Sequence, residues 1–246
     1  MSKYRGQIIL AISLLILSVV VYFFHYYIFR DPHHIFIYMI GDIAFVFIEV
    51  LLVTLIIHRL LTEHEKHQML KKLNMVIGAF YSEVGSDLMH SLSEFNQDLN
   101  KISKQLSNLG NWSDNIYITV SNQMKNQDFT IHPTSTGLLN LKKYLVEKRK
   151  FLLRLLENQN LLEHETFTDL LWAVFHLTEE LENRTNFNTL PESDISHIEG
   201  DIRRAYGLLI AEWLIYMRHL KDDYPYLFSL AMRTNPFNPR ASVIVS

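Results

Sequence analysis

The chain has no cysteine, which excludes disulfides, thiolate metal sites and a thiol nucleophile. It has no excess of positive charge either: 23 Lys and Arg stand against 26 Asp and Glu, a net charge of −3. No overall basic field draws it to nucleic acid, so no nucleic-acid partner is expected. Local enzyme signatures are missing as well. There is no Gly-rich phosphate loop, no Gly-x-Ser-x-Gly elbow and no His-Glu-x-x-His pattern, which weighs against an enzyme. No alternating series of strand type and no internal repeat is present, so the expected class is all-α.

What the sequence does have is two long apolar runs. Residues 8–29 are 22 consecutive positions without Asp, Glu, Lys or Arg, and residues 35–57 are a second run of 23 that holds two acids. At about 1.5 Å per residue, either run crosses a hydrocarbon core of about 30 Å. Lys3 and Arg5 precede the first run as they would in a signal peptide. The run, however, exceeds the roughly 7 to 15 residues of a signal core and ends in Phe23-Phe24-His25-Tyr26-Tyr27, so it reads as an uncleaved anchor. Arg30-Asp31-Pro32-His33-His34 supply a turn between the runs. Residues 1–57 are therefore expected to form a two-helix transmembrane hairpin.

Positive residues orient it. Lys3 and Arg5 lie before the first span, and Arg59, Lys66, Lys71 and Lys72 follow the second, against Arg30 alone in the loop. This distribution places both termini, and with them the C-terminal domain, in the cytoplasm, in a multi-pass protein of the inner or plasma membrane. Tyr22, Tyr26, Tyr27 and Tyr38 lie toward the loop ends, where amphipathic rings favour the interface.

The two acids of the second span, Asp42 and Glu49, are seven residues apart and share a helix face, separated by about 10 Å along the axis. Each costs up to roughly 3 kcal/mol at mid-depth. Folding the hairpin about Pro32 brings Asp42 toward Tyr22 and His25, and Glu49 toward Ser13 or Ser18, as hydrogen-bond partners. Two readings stand: polar contacts that hold helices together, or an ion or proton relay or coupling point. Two helices cannot enclose a water-filled path, so conduction would require several chains.

Beyond the hairpin, Met69, Leu73, Val76, Phe80, Val84, Leu88, Leu92, Phe95, Leu99, Ile102 and Leu106 recur at helical spacing. Only Leu88 to Leu106 keeps a strict heptad alternation, a short coiled-coil pattern. A stalk helix is expected over 58–110, interrupted near Gly78 or Gly85 and closed by a C-cap at Leu109-Gly110. A polar connection over 111–135 follows, with a short helix over 114–124. The helical bundle, 136–234, holds segments at about 136–158, 166–183 and 193–223, each opened by a capping Ser or Thr. A short helix at 226–233 leads into an extended tail, 235–246, where two Asn-Pro pairs disfavour helix.

Histidine is frequent, at 12 residues. Glu63 with His67, Glu163-His164-Glu165, His176 with Glu179 and Glu180, and Asp194 with His197 are the candidate ligand groups. A di-metal carboxylate bundle needs paired Glu-x-x-His units that these helices lack. The groups are read as solvated charged faces, and neither metal nor other cofactor is expected. Lys142, Lys143, Lys148, Arg149 and Lys150 form a basic stretch that either faces lipid or pairs with Glu163, Glu165, Asp169, Glu179, Glu180 and Glu182 of the next helix. Asn235-Pro236-Phe237 resembles a short peptide-recognition motif.

His58-Arg59-Leu60-Leu61 after the hairpin, the segment from Asp201-Ile202-Arg203-Arg204-Ala205-Tyr206-Gly207-Leu208-Leu209, and Asp222-Asp223-Tyr224-Pro225-Tyr226 resemble uncharacterised prokaryotic two-span membrane proteins with a C-terminal helical domain. The resemblance implies a prokaryotic membrane location and carries no activity. The sequence thus reads as a membrane-anchored interaction or regulatory protein. Its expected partners are the lipid bilayer and either another protein or itself, through the helical region. The alternative is an oligomer that moves or couples ions or protons through Asp42 and Glu49.

Overall fold

The computed structural model of the chain describes residues 2–158, 161, 164–238 and 241–244, with backbone alone at 2–7 and 66–68. The side chains of Lys3, Arg5, Lys66, His67 and Glu163, and all of Pro239, lie outside the described residues. Every regular element described is helical, and the chain divides into two units, Met1–Lys66 and His67–Ser246.

The first unit holds α1, Ser2–Phe29, and the start of α2, Pro32–Phe80. Their junction is built from local chemistry. Arg30 turns the chain with a positive φ of 48° while its N–H still donates to the Tyr26 carbonyl at 2.9 Å. Asp31 then caps α2, its Oδ1 accepting from the backbone N–H groups of His33 (3.0 Å) and His34 (3.2 Å). Pro32 takes the first helical position, where a missing N–H costs nothing. No residue in the most apolar window of either helix is buried.

The second unit has a conventional core. It comprises the end of α2, a π-helical turn at Tyr81–Gly85, α3 (Ser86–Ser93), α4 (Leu99–Leu106), a 3-10 turn at Leu109–Asn111, α5 (Asp114–Lys125), α6 (Ser135–Leu156), α7 (Glu165–Glu182), α8 (Glu192–Asp223) and α9 (Pro225–Arg233). α8 is the hub: α5, α7, α9 and α3 all pack on it, and α6 packs on α7. Ile198, Ile202, Tyr206, Leu209, Trp213, Met217 and Leu220 recur at helical spacing on its buried face, and from Ala205 to Leu214 every position is buried.

The run expected as one stalk does not stay helical throughout. It widens at Tyr81–Gly85, where a Cβ on Gly85 would lie 2.6 Å from the Tyr81 ring. It then leaves the helix between Ser93 and Leu99, although Phe95 keeps its place in the apolar stripe and is buried. A long-range bond set wins there: Gln97 N–H donates to Thr130 O (3.0 Å), and His132 N–H to Phe95 O (2.9 Å). No heptad seam survives this turn. The expected C-cap at Leu109-Gly110 is instead a 3-10 turn, and among the described residues no glycine has a positive φ.

A threonine caps α6 as expected, whereas α7 and α8 depart from the expectation. α6 is capped by Thr134, whose Oγ1 accepts from Gly137 N–H, and α7 by His164 Nδ1, which accepts from Phe167 N–H. α8 begins after Pro191 without a side-chain cap. Asn235-Pro236-Phe237 is not a displayed motif. Phe237 packs on Trp213 with ring centres 5.5 Å apart, and Asn235 Nδ2 donates to Leu106 O at 2.8 Å, both residues fully buried.

Two substitutions test this packing in thermal or denaturant unfolding of the full chain in detergent. At Gly207 an added Cβ would meet the Met124 carbonyl of α5 at 3.0 Å. Gly207→Ala should therefore destabilise by about 1 kcal/mol or more, although helix propensity alone favours alanine by about 1 kcal/mol. Asn235→Ala removes a buried bond and should cost about 1–3 kcal/mol. An unchanged midpoint for both would contradict the described core.

Candidate functional site

α7 and α8 each present a histidine and an acid one turn apart: His176 with Glu180, and His197 with Asp201. The packing of the two helices brings the pairs together. His176 Nε2 and His197 Nε2 lie 3.5 and 3.4 Å from the same atom, Asp201 Oδ2. Potential ligand atoms of His176, His197 and Asp201 fall within 4.8 Å of one another. Asp201 is only 4% exposed, and its buried Oδ2 has no hydrogen-bond partner among the described residues. Arg204 Nη1 approaches the other oxygen, Oδ1, at 3.5 Å. The two imidazoles are half exposed, at 44% and 53%. The cluster is thus a buried carboxylate floor with two movable rings at its mouth.

Glu180 stands beside both rings, 3.9 Å from His176 Nε2 and 3.7 Å from His197 Nε2. It is held by Arg184, which also clamps Asp194 through two bonds of 2.9 and 2.6 Å. Those hydrogen bonds hold the Glu180 and Asp194 carboxyls below the usual carboxylate range and push the Arg184 guanidinium up. A cleft of about 490 Å3 opens alongside, lined by Lys125, Asp169, Trp172, His176 and Arg204 among others.

The first unit holds the two acids. Asp42 and Glu49 are exposed on α2 and meet no hydrogen-bond or ion-pair partner among the described residues. None of the partners expected from folding about Pro32 bonds either acid among the described residues. Ser13 Oγ donates to Leu10 O of its own helix at 2.8 Å, and His25 stacks on His34 at 5.9 Å and packs against Phe29. Tyr22 stays exposed.

A family model described as "MJ1433, N-terminal helical domain" matches residues 2–61. A second, described as "Uncharacterized protein MJ1433, C-terminal helical domain", matches residues 69–233. Over 244 residues the chain is 45% identical to Uncharacterized protein MJ1433 of Methanocaldococcus jannaschii, covering 99% of this chain and 98% of the relative. The chain belongs to the MJ1433 family. No solved structure matches it. The gap between the two MJ1433 domain matches brackets the division between Lys66 and His67.

In this MJ1433-family chain the basic stretch is divided. Lys142 Nζ donates to the last carbonyls around α7, Glu182 O (3.0 Å) and Arg184 O (2.7 Å). Arg149 pairs with Glu179 (3.6 Å) and Glu182 (3.3 Å) over the Phe175 ring. Lys148 approaches the Tyr144 ring, and Lys143 and Lys150 are exposed.

The sequence pairs His176 with Glu179 and Glu180 and His197 with Asp194, and of these the structure keeps only Glu180 beside His176. Glu179 goes to Arg149, Asp194 goes to Arg184, and the acid that both histidines share is Asp201. The spacing His197-x-x-x-Asp201 was the available signal. Glu63 bonds Arg59, and Glu165 starts α7.

Another group gave no sequence signal: Glu212, buried on α8. Burial pushes its carboxyl up, opposed by a Thr166 hydrogen bond and the His164 and Lys125 charges. A raised folded-state pKa means that the native state holds the proton longer than the unfolded chain does, so this group loses stability as pH rises through that window. Glu212→Gln should therefore stabilise the full chain at neutral pH, with the gain vanishing as pH falls into the ordinary carboxylate range. Unfolding midpoints across pH check this; a pH-independent difference would remove titration of Glu212 as the cause.

Proposed function

We propose that this chain is a membrane-anchored helical protein whose bundle serves as an interaction or regulatory module. The observation that carries the reading is the bare apolar surface of α1 and the first half of α2. Both are long enough to cross a membrane, and no residue in their most apolar windows is buried. Apolar surface beyond a few hundred Å² requires cover, and a helix in lipid satisfies its own backbone. The asymmetry of Lys and Arg supports cytoplasmic ends, with residues 30–34 outside. For the bundle, the interaction reading is supported by Trp172, which is 56% exposed at the lip of the cleft beside Lys125 and Asp169.

The cysteine-free chain makes topology directly testable. In intact cells an impermeant maleimide should label His33→Cys, in the first turn of α2, and should label Lys150→Cys, on α6, only after permeabilisation. The reverse pattern overturns the orientation, and recovery of the chain in the soluble fraction overturns the anchor.

Asp42 and Glu49 favour a second reading for the hairpin. Two exposed carboxyls without a partner among the described residues suit contacts with further copies, in which they act as interhelical bonds or as a proton or ion path. Asp42→Asn with Glu49→Gln should then change oligomer mass in mild detergent or ion flux in liposomes. If both stay as in the unmodified chain, the oligomer reading fails and the anchor reading stands.

A further inference from the structure

We propose that His176, His197 and Asp201 bind one divalent transition-metal ion of the zinc class, with a fourth position left to water. The site is separate from the hairpin and independent of the anchoring reading. Its donor set is two imidazole nitrogens and one carboxylate oxygen, which suits borderline cations that bind nitrogen and disfavours magnesium and calcium, which prefer oxygen cages.

The distances decide between geometries. Zinc bonds to imidazole nitrogen and carboxylate oxygen at about 2.0–2.2 Å, so neighbouring donors in a tetrahedron lie about 3.3–3.5 Å apart, against about 2.9–3.0 Å in an octahedron. The observed separations of 3.5 Å (His176 Nε2 to Asp201 Oδ2) and 3.4 Å (His197 Nε2 to Asp201 Oδ2) are tetrahedral edges. Potential ligand atoms of the two imidazoles lie within 4.8 Å of each other, and both rings are half exposed at the mouth, where they have room to turn toward a common ion.

A second observation comes from Asp201 itself. Its Oδ2 is buried, faces both ring nitrogens and has no hydrogen-bond partner among the described residues. A buried carboxylate oxygen without a donor is costly, and a cation between it and the two rings supplies what is missing. Arg204 approaches only the opposite oxygen and leaves this one free to ligate.

The surroundings fit. Leu177 and Leu181 on α7, and Ile198 and Ile202 on α8, are buried beside the ligand positions and fix the two backbones. Arg184 ties Glu180 to Asp194, so Glu180 contributes negative charge beside the ion without displacing Asp201 as ligand. The cleft next to His176 and Arg204 gives the fourth position access to water.

The test uses the full chain in detergent, freed of metal with a chelator. Titration with Zn²⁺ in a calorimeter should show one ion per chain, and Co²⁺ should give the intense visible bands of a tetrahedral site, which Zn²⁺ removes and excess Mg²⁺ does not. His176→Gln and His197→Gln, both at exposed rings that leave the core intact, should each weaken binding about tenfold or more and erase the tetrahedral bands. A double variant at the other histidine pair, His33→Gln with His34→Gln, should bind as the unmodified chain does. Absence of saturable Zn²⁺ binding, binding unaffected by the α7 and α8 variants, or displacement by Mg²⁺ would each overturn the proposal.

Discussion

The structure of the second unit depends on the burial of one helix. α8 is wrapped by α3, α5, α7 and α9, and its apolar face is almost wholly removed from water. Each fully buried Leu, Ile or Met contributes roughly 1.5–3 kcal/mol, so Ile198, Ile202, Leu209, Met217 and Leu220 together outweigh any single polar contact in the bundle. Helix propensity does not explain the choice of residues on it. Glycine sits at 207 because α5 crosses there with its backbone, and Tyr206 beside it fills the space against Phe129.

The polar side chains buried against α8 need partners, and the long-range bonds of the bundle answer that need. Tyr81 donates its hydroxyl to Leu209 O at 2.9 Å, Ser121 to Ala211 O at 3.0 Å, and Arg203 reaches Phe129 O. These bonds are individually modest, worth about 1 kcal/mol, but leaving the buried groups unpaired would cost more than that. The pairs Lys142 with α7 and Arg184 with Glu180 and Asp194 play the same part at the surface, where they close helix ends and loops. Asp201 and Glu212 are the acids this scheme leaves buried, each drawn in by the helix face on which it lies.

The first unit follows opposite logic. Its residues are as apolar as the core of the second, but their apolar surface stays uncovered. The difference follows from pattern: residues 8–29 are apolar all around the helix, whereas α6, α7 and α8 carry charges on the side away from their stripe. A helix without a polar face has no orientation in which water is an acceptable solvent, so periodicity alone already separates the two units.

The sequence alone determined the all-helical class, the two apolar helices with their turn before Pro32, and the extents of α6, α7, α8 and α9 to within two or three residues, because prolines and the 3.6-residue period act over single turns. It could not reveal the exit from helix at Phe95, since the apolar spacing from Leu92 to Leu99 continues unbroken through a turn that distant Thr130 and His132 enforce. Nor could it reveal the shared carboxylate of His176 and His197. Histidine and acid were readable as one-turn pairs, but which acid they meet depends on where α7 crosses α8, and a crossing point is fixed by side chains from both helices packing together. Tertiary structure decided those pairings because they are properties of two surfaces in contact, and a local pattern describes only one.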